Sequence, residues 1–271
     1  MRNLFDLTGR TAIVTGGGGV LGQGFCEVLA AFGAKVAVVD VNLEAASETA
    51  SAIAEKFSEA EMLSLQCDIA MPDQVVRLVD EVTGRFGDIH ILHNNAAGKS
   101  DDLDAFFAPF EEYSLDQWRA IMSVNLDGMF LVAREVGKRM VAQGTGGSII
   151  QTSSIYGVVA PDMRIYEGSH YLGRQINSPA VYSASKAGVI GLTRYLAAYW
   201  AGKGIRVNAL SPGGVESGQN EVFKQRYSER VPMRRMAHRS EMQGALLFLA
   251  SDASSYVTGQ NIVVDGGLTA W

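Results

Sequence analysis

The chain has 271 residues, 47% hydrophobic and 19% charged, with a formal net charge of −6. That supplies enough apolar material for one large domain with a true core, and an acidic chain with no basic run is a poor partner for nucleic acid or an anionic membrane. Met1–Asp6 lacks the apolar core of a signal peptide, no apolar run reaches the ~18 residues that cross a bilayer, and Cys26, Cys67 and the four histidines show no ligand spacing, so a soluble cytoplasmic protein without a metal is expected.

Thr11–Thr15 is a short apolar run of buried-strand type, followed by the glycine-rich Gly16–Gly22 and an apolar-periodic helix to Phe32, which Gly33 stops. A second strand, Lys35–Asp40, precedes a helix over 42–58, a strand over 61–67 that ends at Asp68, and a helix over 72–86. The next strand starts at Ile89 and ends in Asn94-Asn95-Ala96-Ala97-Gly98; a polar and aromatic loop spans 99–114. A long helix from Leu115 to Val141 carries Asn125, and the strand Gly147–Thr152 leads to Ser153-Ser154. A helix from Tyr182 to near Gly202, a strand over Ile205–Leu210, two helices (219–230 and 240–250) and a last strand, Asn261–Asp265, complete the chain.

Strands alternating with helices demand a parallel sheet covered on both faces. Right-handed crossovers then give an α/β, Rossmann-type doubly wound sheet, here of about seven strands. No linker, charge run or internal repeat divides the sequence, so one catalytic domain over 1–271 is expected, with a lid over 216–239 and an additional loop over 161–178.

A glycine-rich turn between the first strand and the first helix is a phosphate cradle: backbone amides approach a pyrophosphate closely, and the helix N-terminus favours its charge. Asp40 ends the second strand eighteen residues after Gly22. A carboxylate there accepts from ribose hydroxyls and repels a 2′-phosphate, which favours NAD over NADP; the competing reading is that Asp40 caps the next helix.

Tyr182 and Lys186 stand at i and i+4, one turn apart on one helix face. At an effective dielectric of about 20, an ammonium roughly 5 Å away stabilises a phenolate by about 3 kcal/mol, which draws the tyrosine down towards working range as a proton-transfer group. Tyr199 and Lys203 repeat the spacing near the other end of the helix. Spacing does not choose between the pairs; position does, because only the pair that opens the helix after a loop faces the strand ends.

The ordered set Thr15-Gly16-x-x-x-x-x-Gly22, Asp68, Asn94-Asn95-Ala96, Asn125, Ser154, Tyr182-x-x-x-Lys186 and Pro212-Gly213-x-Val215-x-Ser217 resembles the short-chain dehydrogenase/reductase family over nearly the full length. The resemblance implies an NAD-dependent oxidoreductase that moves a hydride between NAD(H) and a secondary alcohol or ketone. It implies Tyr182 as the proton-exchanging group, Ser154 as a hydrogen-bond partner of the substrate oxygen, Lys186 as the group that tunes the tyrosine and holds the nicotinamide ribose, and Asn125 as support for a proton-carrying water. It implies cofactor contacts from Gly16, Gly19, Val20, Leu21, Asp40, Asp68, Ile69, Asn95, Ala96, Gly213, Val215 and Ser217, besides Tyr182 and Lys186. It also implies a homotetramer packed through the helices at 115–141 and 182–202 and the last strand, an arrangement that apolar residues on a second helix side (Ile121, Val124, Phe130; Val189, Leu192, Leu196) fit.

Three departures stand out. Val20 occupies the position of the family's second turn glycine; valine resists positive φ, so Gly19 is expected to be the flexible residue of this turn. Ala97 replaces the glycine of Asn-Asn-Ala-Gly. Ser154 and Tyr182 are 28 residues apart, about twice the family norm, and the excess falls in Pro161–Ser178. The stretch Ile165-Tyr166-Glu167-Gly168 resembles an insertion in family members from bacterial sugar pathways, including those of sialic-acid-like sugars and flagellin glycosylation. That points to a polyhydroxylated or sugar-derived substrate; a contact with a neighbouring subunit is the competing role. Arg226, Arg230, Arg234 and Arg235 in the lid fit either an anionic substrate group or an ordinary charged helix surface. A 3-oxoacyl thioester reductase is the alternative within the enzyme class, and a catalytically silent dinucleotide sensor or scaffold the alternative outside it.

Overall fold

The computed structural model describes residues 3–100 and 102–271. Seven parallel strands form the central sheet: β1 (Thr11–Thr15), β2 (Lys35–Asp40), β3 (Met62–Gln66), β4 (Ile91–Asn94), β5 (Gly147–Thr152), β8 (Ile205–Pro212) and β9 (Asn261–Val264), in the order β3-β2-β1-β4-β5-β8-β9. Each strand's apolar side chains alternate between two cores. Ala12, Val14, Val36 and Val38 face α1 (Val20–Ala31), α2 (Leu43–Lys56) and α9 (Gln243–Ala250). Ile13, Ala37, Val39, Leu92 and Ile149 face α3 (Pro72–Phe86), α6 (Met129–Gln143) and α7 (Ala180–Trp200). The strand order reverses between β1 and β4, so a crevice opens beyond the carboxyl ends of these strands, where such sheets hold ligands.

Three segments depart from the elements expected from sequence. The loop 99–114, of which Asp101 lies outside the described residues, contains a four-residue helix, α4 (Leu103–Phe106), capped by the Asp102 side chain accepting from the Ala105 amide at 3.0 Å. The helix expected over Leu115–Val141 is split: α5 (Leu115–Met122) passes into a π-helical stretch, Ser123–Gly128, before α6. Tertiary contacts explain the break. Asn125 accepts from the Gly98 amide at 2.8 Å, and a Cβ at Gly128 would lie 2.8 Å from the Ile69 side chain. Single π-turns of this kind gather at functional sites.

The loop expected over 161–178 is structured. A 3-10 turn, Met163–Tyr166, is capped by Asp162, and a hairpin pairs β6 (His170–Tyr171) with β7 (Arg174–Gln175). Leu172 and Gly173 at its tip have φ of 49° and 79°, the pair of left-handed residues a two-residue I′ turn requires. The last helix of the lid is α8 (Glu221–Arg230). Among the described residues no helix is long and apolar enough to cross a membrane.

Candidate active site

The ends of β1, β2, β4, β5 and β8, together with the start of α7, enclose a cleft of about 410 Å³. Of the residues singled out in the sequence, Gly16, Gly19, Val20, Leu21, Asp40, Asn95, Ala96, Ser154, Tyr182, Lys186, Gly213, Val215 and Ser217 line it. Gly22, Ala97, Thr152, Ser153 and Pro212 line it as well.

The turn between β1 and α1 is built for backbone approach. Gly16 takes φ 65°, and a Cβ on Gly22 would lie 2.0 Å from the Gly16 carbonyl oxygen. The expectation for Gly19 is corrected: it is extended (φ −78°, ψ 169°) and Val20 is the first residue of α1. The left-handed residue is Gly16, so valine sits at position 20 without strain. Asp40 accepts from the Gly18 amide at 3.0 Å and the Asn42 amide at 3.1 Å. It does not cap α2; Asn42 does, accepting from Glu44 and Ala45. The Asp40 carboxylate therefore faces the cleft with acceptor capacity to spare, and the cradle and acid together fit the diphosphate and ribose of a dinucleotide.

A second network fixes the middle of the cleft; sequence patterns marked Thr15, Asn95 and Ala96 but not Thr152 and His93. The Thr15 hydroxyl accepts from the amides of Asn95 (2.9 Å) and Ala96 (3.0 Å). Thr152 donates its hydroxyl to Asn95 Oδ1 at 3.1 Å, while its oxygen lies 2.9 Å from His93 Nε2. Since the Thr152 proton goes to Asn95, His93 carries its own proton on Nε2 and donates to Thr152. His93 lies within β4, fully buried, and burial pushes it down to about 3, so it stays neutral. Threonines at strand ends beside the glycine turn and the Asn95 loop are the one sequence signal that points to this network.

Ser154, Tyr182 and Lys186 converge at the other end. Ser154 is 6% exposed, and its hydroxyl stands close enough to Tyr182 to draw the phenol down. Lys186 is 2% exposed and donates to the Thr152 carbonyl oxygen at 3.0 Å, with its Nζ 5.9 Å from the centre of the Tyr182 ring. The electrostatics differ from the sequence expectation. Burial pushes the Tyr182 phenol up, and only the neighbouring Ser154 hydroxyl pulls it down; burial also draws Lys186 down to about 8. Desolvation dominates both groups because they sit in a low-dielectric wall. Tyr199, in the competing pair, is 66% exposed and stacks on Tyr195 at 5.8 Å, far from the strand ends.

Asn125, Asp68 and Ile69 do not line the cleft. Asn125 is fully buried behind it; its Oδ1 holds the Gly98 amide and its Nδ2 has no partner among the described residues. Asp68 folds back on its own turn, accepting from the Ala70 amide at 2.9 Å, and Ile69 is buried against Gly128. The four lid arginines singled out in the sequence are engaged by this chain. Arg226 bonds the Arg164 carbonyl and Glu167, Arg230 pairs with Asp162, Arg234 bonds the Glu229 carbonyl, and Arg235 pairs with Glu241. Of the apolar side chains expected to meet a neighbouring subunit, Ile121, Val189 and Leu196 are buried within the protomer; Phe130 stays 45% exposed.

Comparison with known proteins gives the same answer from another direction. The family model described as short chain dehydrogenase matches residues 10–228. The chain is 36% identical to a D-threitol dehydrogenase of Mycolicibacterium smegmatis, over 98% of this chain and 95% of that one. The crystal structure of a gluconate 5-dehydrogenase from Burkholderia cenocepacia, in complex with NADP and tartrate, is 34% identical with a TM-score of 0.86, covering 99% and 98% of the two chains. An NAD+-bound xylitol dehydrogenase structure is 31% identical with a TM-score of 0.84, covering 96% and 99%. The chain belongs to the short-chain dehydrogenase/reductase family and is an oxidoreductase that acts on CH–OH groups with a nicotinamide dinucleotide.

Proposed function

We propose that the protein is an NAD-dependent dehydrogenase of a polyhydroxylated secondary alcohol, with Ser154, Tyr182 and Lys186 as its catalytic groups and Asn125 behind them. The observation that carries this reading is the convergence of the Ser154 hydroxyl and the Tyr182 phenol beside buried Lys186, in a cleft that begins at a phosphate cradle. The names of the relatives, a threitol, a gluconate and a xylitol dehydrogenase, support the substrate class.

When bound, NAD supplies the acceptor for the hydride leaving the carbinol carbon. The chain does the rest. The Ser154 hydroxyl donates to the alcohol oxygen and fixes its distance from Tyr182 Oη. The Tyr182 phenolate takes the hydroxyl proton, and in the reverse direction the phenol returns it. Lys186, held by the Thr152 carbonyl, keeps a donor beside the ribose. Asn125 Nδ2, buried and unpartnered among the described residues, suits a proton-carrying water between Lys186 and solvent. Asp40 favours NAD over NADP because a 2′-phosphate would meet its carboxylate.

On this reading residues 1–271 form one catalytic domain in the cytoplasm, with the lid over 216–239 and the insertion over 161–178. It works as a homotetramer, and exposed Phe130, Tyr195 and Tyr199 on α6 and α7 are the surface it would cover; a monomer in light scattering would refute that. A screen of tetritols, pentitols, hexitols and aldonates with NAD and with NADP tests the function. NAD reduction by at least one polyol is the expected result, and none with any of them would overturn the reading.

A further inference from the structure

The insertion springs from the end of β5, between Ser154 and Tyr182, and the neighbours of β5 in the sheet are β4 and β8. It is tied to the extensions of both. On the β4 side, Lys99 donates to the Tyr171 hydroxyl at 3.1 Å and lies over its ring, Arg174 pairs with Asp104, and Asn177 donates to the Phe107 carbonyl at 2.8 Å. On the β8 side, Asn220 donates to the His170 carbonyl at 2.9 Å, Arg226 bonds the Arg164 carbonyl and Glu167, and Arg230 pairs with Asp162. Each exposed tether is weak alone; six of them on opposite sides hold one segment across the gap.

Beneath the tethers, Tyr166 is 8% exposed and its ring packs on Phe223 of α8 at 5.5 Å, which stacks on Tyr227 at 5.8 Å. Tyr227 in turn takes the Gly214 amide, next to cleft-lining Gly213 and Val215. The hydroxyls of Tyr166 and Tyr156 lie 3.4 Å apart; Tyr166 stands near Ser178, and both phenols sit close enough to Tyr182 to interact with it electrostatically. The tip adds a second pointer. Leu172 is 73% exposed in a left-handed conformation that costs a leucine strain and that asparagine or glycine would take freely. Backbone outliers of this kind cluster where a segment's shape is used.

Resting on the polyol reading above, we propose that residues 161–178 form a fixed roof across the mouth of the cleft, with a hydroxyl-lined underside, which admits short hydroxyl-rich alcohols and excludes alcohols with a bulky apolar substituent. The roof is then the part of this chain that sets substrate size, while the cleft beneath sets the chemistry.

The hairpin lends itself to a clean test, because the Ile176 amide already bonds the Ser169 carbonyl at 3.1 Å across its base. Replacing residues 170–175 by Asn-Gly keeps that pair and removes the hairpin, together with the tethers at His170, Tyr171 and Arg174. The probes are xylitol and 4-phenyl-2-butanol, compared by kcat/KM with NAD. In the shortened chain the ratio for 4-phenyl-2-butanol over xylitol is expected to rise tenfold or more, with the Kd for NAD within twofold of wild type. A folded, NAD-binding shortened chain with an unmoved ratio overturns the roof. Should the shortened chain not fold, the Tyr171→Ala, Arg174→Ala double variant keeps the backbone and cuts two of the three β4-side tethers; it is expected to move the ratio at least threefold the same way, and an unmoved ratio again overturns the proposal. A wild-type enzyme that oxidises no polyol at all is a different failure, that of the function reading itself.

Discussion

Lys186 Nζ donates to the carbonyl oxygen of Thr152 at 3.0 Å, and the Thr152 hydroxyl reaches Asn95 Oδ1 at 3.1 Å. One residue thus holds the lysine through its backbone and the middle of the cleft through its side chain. Thr152→Val keeps the volume and the carbonyl and removes the hydroxyl. It leaves Asn95 Oδ1 without this donor and buries the His93 N–H unpaired, which costs about 1–3 kcal/mol of stability. The expected outcome is a lower Tm and NAD binding weakened about tenfold, one lost hydrogen bond's worth, with kcat reduced less than threefold. Isothermal titration and steady-state kinetics check it.

The pH dependence of turnover follows from two buried groups. Tyr182 is held above the ordinary phenol range, so across neutral pH its phenolate fraction grows with each step upward. On the proposed mechanism, oxidation of the alcohol needs that phenolate and reduction of the ketone needs the phenol. The expected profile for oxidation rises from pH 6.5 with a slope of about one and flattens above about pH 8, where Lys186 loses its charge. Reduction shows no such rise. A flat oxidation profile would contradict this assignment.

His93 sets an acid limit on stability. Its native value is pushed down to about 3 by burial, whereas the unfolded chain titrates at about 6.5. Between those values the unfolded state binds the extra proton, so stability falls as pH falls, and it is fully present only above about 6.5. By pH 4.5 the loss from this one group is about 2–3 kcal/mol. His93→Gln retains an N–H for Thr152 and removes the titration. Urea midpoints at pH 7 and 4.5 are expected to differ less in the variant than in the wild type.

On the proposed reading, Asp40 sets a preference for NAD over NADP. In Asp40→Ser the carboxylate that would meet a 2′-phosphate is gone while a hydroxyl remains for the ribose. The ratio of kcat/KM for NADP over NAD is expected to rise at least tenfold, read at saturating polyol. An unchanged ratio would assign the preference to other residues.

Much of this architecture is legible in the sequence because it rests on local patterns. Each of the seven sheet strands is a short apolar run ending in a polar or glycine-rich turn, and the pattern switches period at each helix. The cleft residues Gly16, Asp40, Asn95 and Tyr182 are legible because they stand at strand or helix ends. What escaped depends on contacts distant in sequence. The π-helical stretch forms because Gly98 reaches Asn125 and Ile69 packs on Gly128. The hairpin at Leu172-Gly173 lacks the Asn-Gly chemistry that usually marks such a turn. The resemblance implied a cofactor contact for Asp68 but not that its Oδ1 accepts from the Ala70 amide of its own turn. The spacing of Tyr182 and Lys186 suggested an attraction but not the burial that dominates both groups.

The most direct measurement is the turnover of Tyr182→Phe beside its NAD affinity. The ring and its packing persist, and only the proton-carrying oxygen is lost. Oxidation of a polyol accepted by the wild type is expected to fall at least a thousandfold, within the range general acid–base groups contribute, with the Kd for NAD within threefold. Turnover retained within tenfold of wild type would contradict the assignment of Tyr182 as the group that moves the proton.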